Sequence, residues 1–263
     1  MTALLEVRHL SVTYPGDRRA VNDISFDIDA GETVALVGES GCGKSTTAYA
    51  VMQLLGPDAR VDRNSRAVFD GDNLLTHSRE AMCRIRGRRI AMIFQEPAAA
   101  LNPSMRVGDQ VAEVAEVHGE RSHRRAFEKA VTMLERVGIR DAGRRAYAFP
   151  HELSGGMRQR VVIAMALLLQ PALVIADEPT SALDVTVQAQ ILALIDELRR
   201  DAGTAVLFIT HDLAVVAESC SRAIVMQGGS IVEQATTERL FAAPKHRHSA
   251  DLLRAVPRLE VAP

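Results

Sequence analysis

The densest group of chemistry-bearing residues is Gly38-Glu39-Ser40-Gly41-Cys42-Gly43-Lys44-Ser45-Thr46, which fits the spacing G-x-x-x-x-G-K-[ST]. Glycines at those positions let the backbone curl until consecutive N–H groups point inward, and a helix that follows offers its N-terminus to the same anion. Lys44 is placed to reach β- and γ-phosphates. The Ser45 hydroxyl suits Mg2+, a hard ion that prefers oxygen and shares its shell with phosphate. Two adjacent carboxylates, Asp177 and Glu178, close another apolar run. Successive side chains diverge, so the pair can divide the work: Asp177 in the metal's shell, Glu178 polarising the attacking water. Gln95 and His211 also stand just after apolar runs. Taken alone, Gln95 reads as a loop amide and His211 as a polar residue at a helix start.

The elements that must hold these residues change that reading. Residues 33–37, 90–94, 173–176 and 205–209 are nearly continuous apolar runs rich in Val and Ile, the pattern of strands buried on both faces. Ligands of a parallel sheet bind beyond the carboxyl ends of its strands. Gly38, Gln95, Asp177 and His211 each follow such an end, so the sequence predicts four strand ends converging on one phosphate. Lys44 and His211 would meet the γ-phosphate, Ser45 and Asp177 the metal, and Gln95 and Glu178 the water: a cage for phosphoryl transfer to water. Ile191, Leu194, Ile195 and Leu198 share one helical stripe, whereas Ile24, Phe26 and Ile28 alternate with polar residues as a half-wet strand does. Strands and helices alternate, which argues an α/β fold with antiparallel strands at its start. Residues 104–147 break the alternation and read as an inserted helical subdomain. Residues 223–232 read as a hairpin around Gly228-Gly229, and the tail after Phe241 carries Pro244, Pro257 and Pro263.

Composition narrows the partners. The 263 residues hold 31 basic and 33 acidic side chains, a formal charge of −2, with no tryptophan. Such a balance gives no broad field for nucleic acid. Arg84, Arg86, Arg88 and Arg89 therefore read as a solvated basic face. Cys42, Cys83 and Cys220 are odd in number and widely spaced, which predicts neither a disulfide framework nor a CxxC metal site. The longest apolar run, 161–169, is too short for a bilayer, and Glu6, Arg8 and His9 interrupt any secretory leader. A cytosolic chain is expected.

Leu153-Ser154-Gly155-Gly156-Met157 resembles the signature of ABC-type ATPases, and it stands between Gln95 and the Asp177-Glu178 pair as that family requires. The resemblance implies a P-loop ABC core, a mixed sheet whose central parallel strands are flanked by helices. The nucleotide-binding core would occupy 1–95 and 160–240, the helical subdomain with its signature 96–159, and a tail 241–263. It implies ATP and Mg2+ as ligands, with Gln95 joining Ser45 and Asp177 around the metal. It also implies that two ATPase domains face head to tail, so that Ser154, Gly155 and Gly156 of one complete the nucleotide site of the other. The residue chemistry agrees: Ser154 is a good N-cap, and the two glycines leave the helix amides open to an anion. Ser181-Ala182-Leu183-Asp184 resembles the loop at the dimer seam, with Asp184 linking the two sites. Tyr14 stands where the family stacks an aromatic on adenine, although a strand tyrosine is useful without a nucleotide.

The strings 93–97, 101–103 and 177–190 resemble ATP-binding subunits of peptide/nickel importers over nearly the whole chain. That implies a peripheral protein on the cytoplasmic face of the inner membrane, bound to integral permease subunits through residues 96–106. It implies pairing with a related ATPase subunit in preference to a second copy, and cargo delivered by a solute-binding protein. In the tail, Arg247 and His248 replace the branch's common proline and tyrosine, a lean toward metal or metallophore cargo. His246 and His248 themselves read as solvated side chains. Two rivals use the same phosphate chemistry. A DNA-acting ATPase would show long coiled coils or zinc modules, and a small-molecule kinase would need an acceptor pocket and lid.

Overall fold

The computed structural model describes residues 3–181 and 184–255. The chain falls into two compact units, Met1–His77 with Leu207–Pro263, and Ser78–Val206.

The first unit opens with the antiparallel strands β1 (Leu5–Tyr14) and β2 (Arg18–Ile28). Leu5 and Val7 are buried, and so are Leu10 and Val12, although the parity changes between the pairs. A register shift between Val7 and Leu10, with His9 at φ 50°, absorbs the extra residue and keeps all four side chains in the core. All five residues of β3 (Thr33–Val37) are buried, and the strand runs through the phosphate-loop sequence into α1 (Lys44–Val51). β4 (Arg60–Val61) and β5 (Arg66–Phe69) pair antiparallel with β1, and β6 (Asp72–Asn73) pairs with β5.

The second unit begins with α2 (Arg79–Ile85) and β7 (Ile90–Ile93). Then come α3 (Pro97–Ala100), α4 (Val107–Val117), α5 (His123–Arg136) and α6 (Ala142–Arg145), the helical stretch that the sequence predicts between strands. α7 (Gly155–Leu167), β8 (Leu173–Asp177) and α8 (Val185–Ala202) follow. β7 and β8 are parallel, Ile90 opposite Leu173 and Ile93 opposite Ala176, with every residue buried. Arg160 braces this unit: its guanidinium donates to the Val137 carbonyl at 2.5 Å and to Gln190 Oε1 at 3.1 Å, linking α7 to the end of α5 and to α8.

β9 (Ala205–Thr210) spans the division. Its Ala205 N–H donates to the Ala172 carbonyl at 2.9 Å. The first unit then closes with α9 (Leu213–Ser219), β10 (Arg222–Gln227), β11 (Ser230–Thr236), α10 (Thr237–Ala242) and α11 (Arg247–Arg254). β10 runs parallel to β3 and antiparallel to β11, the expected hairpin. Arg222 fixes β10 to the turn before β3 through Glu32 at 2.8 Å. Burial pushes the Glu32 carboxyl up, but the Arg222 hydrogen bond, the Asp29 N–H and the Arg222 charge together outweigh it and hold the group below its ordinary value.

The solvated-tail expectation fails for His248, which is only 7% exposed on α11. Glu233 of β11 accepts the N–H groups of Lys245 at 2.8 Å and His246 at 2.9 Å, tying down the entry to that helix. Pro257 and Pro263 lie outside the described residues.

Candidate functional site

In the first unit the phosphate loop has the curled geometry its glycines permit. Gly38, Gly41 and Gly43 take φ values of 153°, 79° and 106°. The backbone also passes too close for a side chain: a Cβ on Gly38 would lie 2.3 Å from the Met226 carbonyl oxygen, and one on Gly43 2.4 Å from that of Ala20. Glu39, Ser40 and Gly41 form an exposed crest, while Gly38, Cys42 and Gly43 are buried beneath it. Ser45 and Thr46 sit in the first turn of α1, whose start has no side-chain cap, the position where a helix N-terminus meets an anion. Lys44 is 6% exposed, and its ammonium donates to the carbonyls of Gly38 at 2.7 Å and Glu39 at 2.9 Å. Two carbonyls orient that charge without neutralising it, an arrangement suited to an anion. Burial pushes the Cys42 thiol up despite Lys44 nearby, which keeps it protonated beside the cation.

His211 follows β9 directly and is exposed, one residue before Asp212, whose carboxylate caps α9 by accepting from Ala214 N–H at 2.8 Å. Tyr14 ends β1, and the Arg18 guanidinium lies 5.4 Å from its ring centroid. The ring that the resemblance assigns to adenine thus already carries a cation on it.

The second unit holds the carboxylates. Asp177 is the last residue of β8 and 1% exposed. Glu178 then turns into the left-handed region at φ 45°, uncommon for a residue with a Cβ. The turn is closed by Ser181, whose N–H and hydroxyl both donate to the Glu178 carbonyl at 3.2 Å. The Glu178 side chain meets Gln95, beyond the end of β7: Gln95 Nε2 donates to Glu178 Oε2 at 2.9 Å. Two residues 83 positions apart are thereby brought together. The amide nitrogen faces the carboxylate, and the oxygen that a metal would use is the other end of the same group.

Ser154 caps α7 by accepting from the Met157 N–H at 3.3 Å. Gly155 opens the helix with nothing within 4 Å of where a Cβ would stand, whereas a Cβ on Gly156 would meet Val187 at 3.1 Å. Asp184 caps α8 by accepting from the Val187 N–H at 2.9 Å. Ala182 and Leu183 of the same predicted loop lie outside the described residues. Sequence reasoning missed Gln159 and Arg160 on α7. The available signal was a polar pair on a helix whose next residues, Val161 to Ala164, are all buried.

A family model described as ABC transporter matches residues 21–181. The chain belongs to the ABC transporter family. It is 50% identical over 261 residues to the oligopeptide transport ATP-binding protein OppD of Escherichia coli (strain K12), an alignment covering 98% of this chain and 77% of that protein. It is 51% identical to the probable peptide ABC transporter ATP-binding protein y4tR of Sinorhizobium fredii, covering 97% and 77%. Among solved structures, the fold is similar to the ATP-binding cassette MJ0796 in a dimeric post-hydrolysis state bound to ADP and Pi. That match has a TM-score of 0.79 at 26% identity, covering 89% of this chain and 98% of that one. CbiO1 of Clostridium perfringens matches with a TM-score of 0.77 at 27% identity, covering 92% of both. This ABC protein binds ATP and is an ATPase with the mixed α/β cassette fold. No helix among the described residues is long and apolar enough to cross a membrane.

Proposed function

We propose that this ABC ATPase energises import of peptides through an integral membrane permease, working as one of two ATPase subunits at the cytoplasmic membrane face. The observation that carries the hydrolytic part is the split at the end of β8: Asp177 buried, Glu178 turned aside by a left-handed φ and bonded to Gln95. The phosphate loop and Lys44 hold the triphosphate, Glu178 takes a proton from the attacking water, and His211 donates toward the γ-phosphate. Ser45, Asp177 and Gln95 offer oxygen donors, a set whose hardness fits Mg2+. The metal, when bound, neutralises charge building on the phosphate oxygens. Tyr14 contacts the base. Ser154, Gly155 and Gly156 serve the nucleotide of the partner subunit, a related chain in preference to a second copy, and Asp184 joins the two sites. Residues 96–106 meet the permease, and a solute-binding protein delivers cargo to it from outside.

Peptide cargo is preferred to nickel because the relatives above carry peptide or oligopeptide names. The test is to purify the tagged chain from membranes and assay the complex in proteoliposomes with its solute-binding protein. Co-purification with two integral membrane proteins and ATPase stimulated severalfold by peptides support the reading. Stimulation by nickel or metal chelates alone would replace the cargo, and tight DNA binding with no membrane partner would replace the function.

A further inference from the structure

A cleft of about 290 Å³ lies in the second unit between the turn at residues 95–98, the start of α7 and the turn after Glu178. Gln95, Pro97, Gly155, Gln159, Pro179 and Ser181 are among its walls. Gln159 stands out among them. It is 1% exposed, and its Nε2 has no hydrogen-bond partner. A buried amide donor without an acceptor is a standing cost to a fold, so it points to an acceptor that arrives in another state. One wall is fixed, because α7 continues through the buried residues Val161, Val162 and Ile163. The opposite wall is weakly held: α3 is a single turn with no buried residue and no side-chain cap. The movable wall also carries Gln95, which donates to Glu178.

We propose that Gln159 is a positioning residue for ATP hydrolysis: its Nε2 takes a main-chain carbonyl of the 95–98 turn when that turn closes into the cleft, and the closure draws Gln95 off Glu178. Withdrawing Gln95 frees Glu178 Oε2, the oxygen that Gln95 occupies in the open arrangement, to meet the attacking water once the turn has closed. Gln159 acts through Gln95 and touches neither nucleotide nor water. The inference rests on the reading of Glu178 as the base.

Gln159→Met keeps the length of the side chain and removes the donor. Because Nε2 has no partner in the open arrangement, the full chain carrying Gln159→Met should melt at or above the parent temperature. Its kcat should fall about tenfold while KM for ATP stays within about twofold. The sequence has no tryptophan, so Ala99→Trp on the exposed side of α3 supplies a single fluorophore. In a Glu178→Gln background its emission should shift on adding ATP, and the shift should disappear when Gln159→Met is added. A lowered melting temperature makes the role structural and overturns the inference. So does a parental kcat, or an emission shift that survives Gln159→Met. If Glu178→Gln itself hydrolyses ATP at the parental rate, the assignment of the base falls, and the fluorescence comparison still decides whether Gln159 captures the turn.

Discussion

Glu178 occupies a backbone region that costs a residue with a Cβ about 1–2 kcal/mol, and the turn that pays for it aims the carboxylate at Gln95 instead of alongside Asp177. The chemistry of that single side chain is therefore separable from binding. Glu178→Gln should lower steady-state hydrolysis by about 10²–10⁴-fold while ATP affinity stays within about threefold. Phosphate release and a nucleotide titration check the two halves, and undiminished turnover would remove Glu178 as the base. Lys44 should behave in the opposite way. Its buried ammonium is oriented by the Gly38 and Glu39 carbonyls, with the Cys42 sulfur beside it, so Lys44→Ala should weaken ATP binding itself by about tenfold or more, on the order of 1.4 kcal/mol. An equal affinity in the same titration would contradict that role. Both groups were legible because each follows an apolar run that the sequence shows plainly. The bond between Gln95 and Glu178 was not, since 83 residues separate them and no local pattern encodes a long-range pair.

Elements were readable in proportion to how local their causes are. Buried strands declare themselves through runs of Val and Ile, and the start of α7 through Ser154 ahead of two glycines, a cap worth about 1 kcal/mol. The tail lacked such a signal. His246, Arg247 and His248 read as solvated, yet α11 forms and buries His248 because Glu233, on another strand, accepts the Lys245 and His246 N–H groups. Burial pushes the Glu233 carboxyl up, and the bonds from the tail outweigh it, leaving the group below its ordinary value of 4.5. A lowered folded value means stabilisation that is present above that ordinary value and lost as pH falls through the folded one. Glu233→Gln should therefore speed amide exchange in α11 at pH 7, with the difference from the parent shrinking toward pH 3. A difference that persists unchanged at pH 3 would show that charge on Glu233 is not what holds the tail.

At the scale of the whole molecule, the same reasoning applies to the Glu32–Arg222 pair, which spans 190 positions and fastens β10 to the turn before β3. Its carboxyl is also held low, and both side chains are about one-fifth exposed. Glu32→Gln should cost about 1 kcal/mol at neutral pH and progressively less below pH 4.5, read by denaturant titration at several pH values. The larger question is what one chain leaves for another. Its phosphate loop lies in the first unit, and its glycine-flanked helix start lies in the second. Gly155 has open space where a Cβ would stand, so Gly155→Ala changes the surface offered to a neighbour without crowding its own fold. Gly156→Ala is a poorer probe because Val187 would have to shift. If the helix start serves the partner's nucleotide, Gly155→Ala should leave ATP binding by the isolated chain unchanged. In mixed dimers of altered and unaltered subunits, turnover should fail at the unaltered subunit's phosphate loop. Photolabelling each subunit with a trapped nucleotide separates the two sites, and a defect confined to the altered chain's own nucleotide would place the helix start in cis and remove the need for a second ATPase subunit in forming the site.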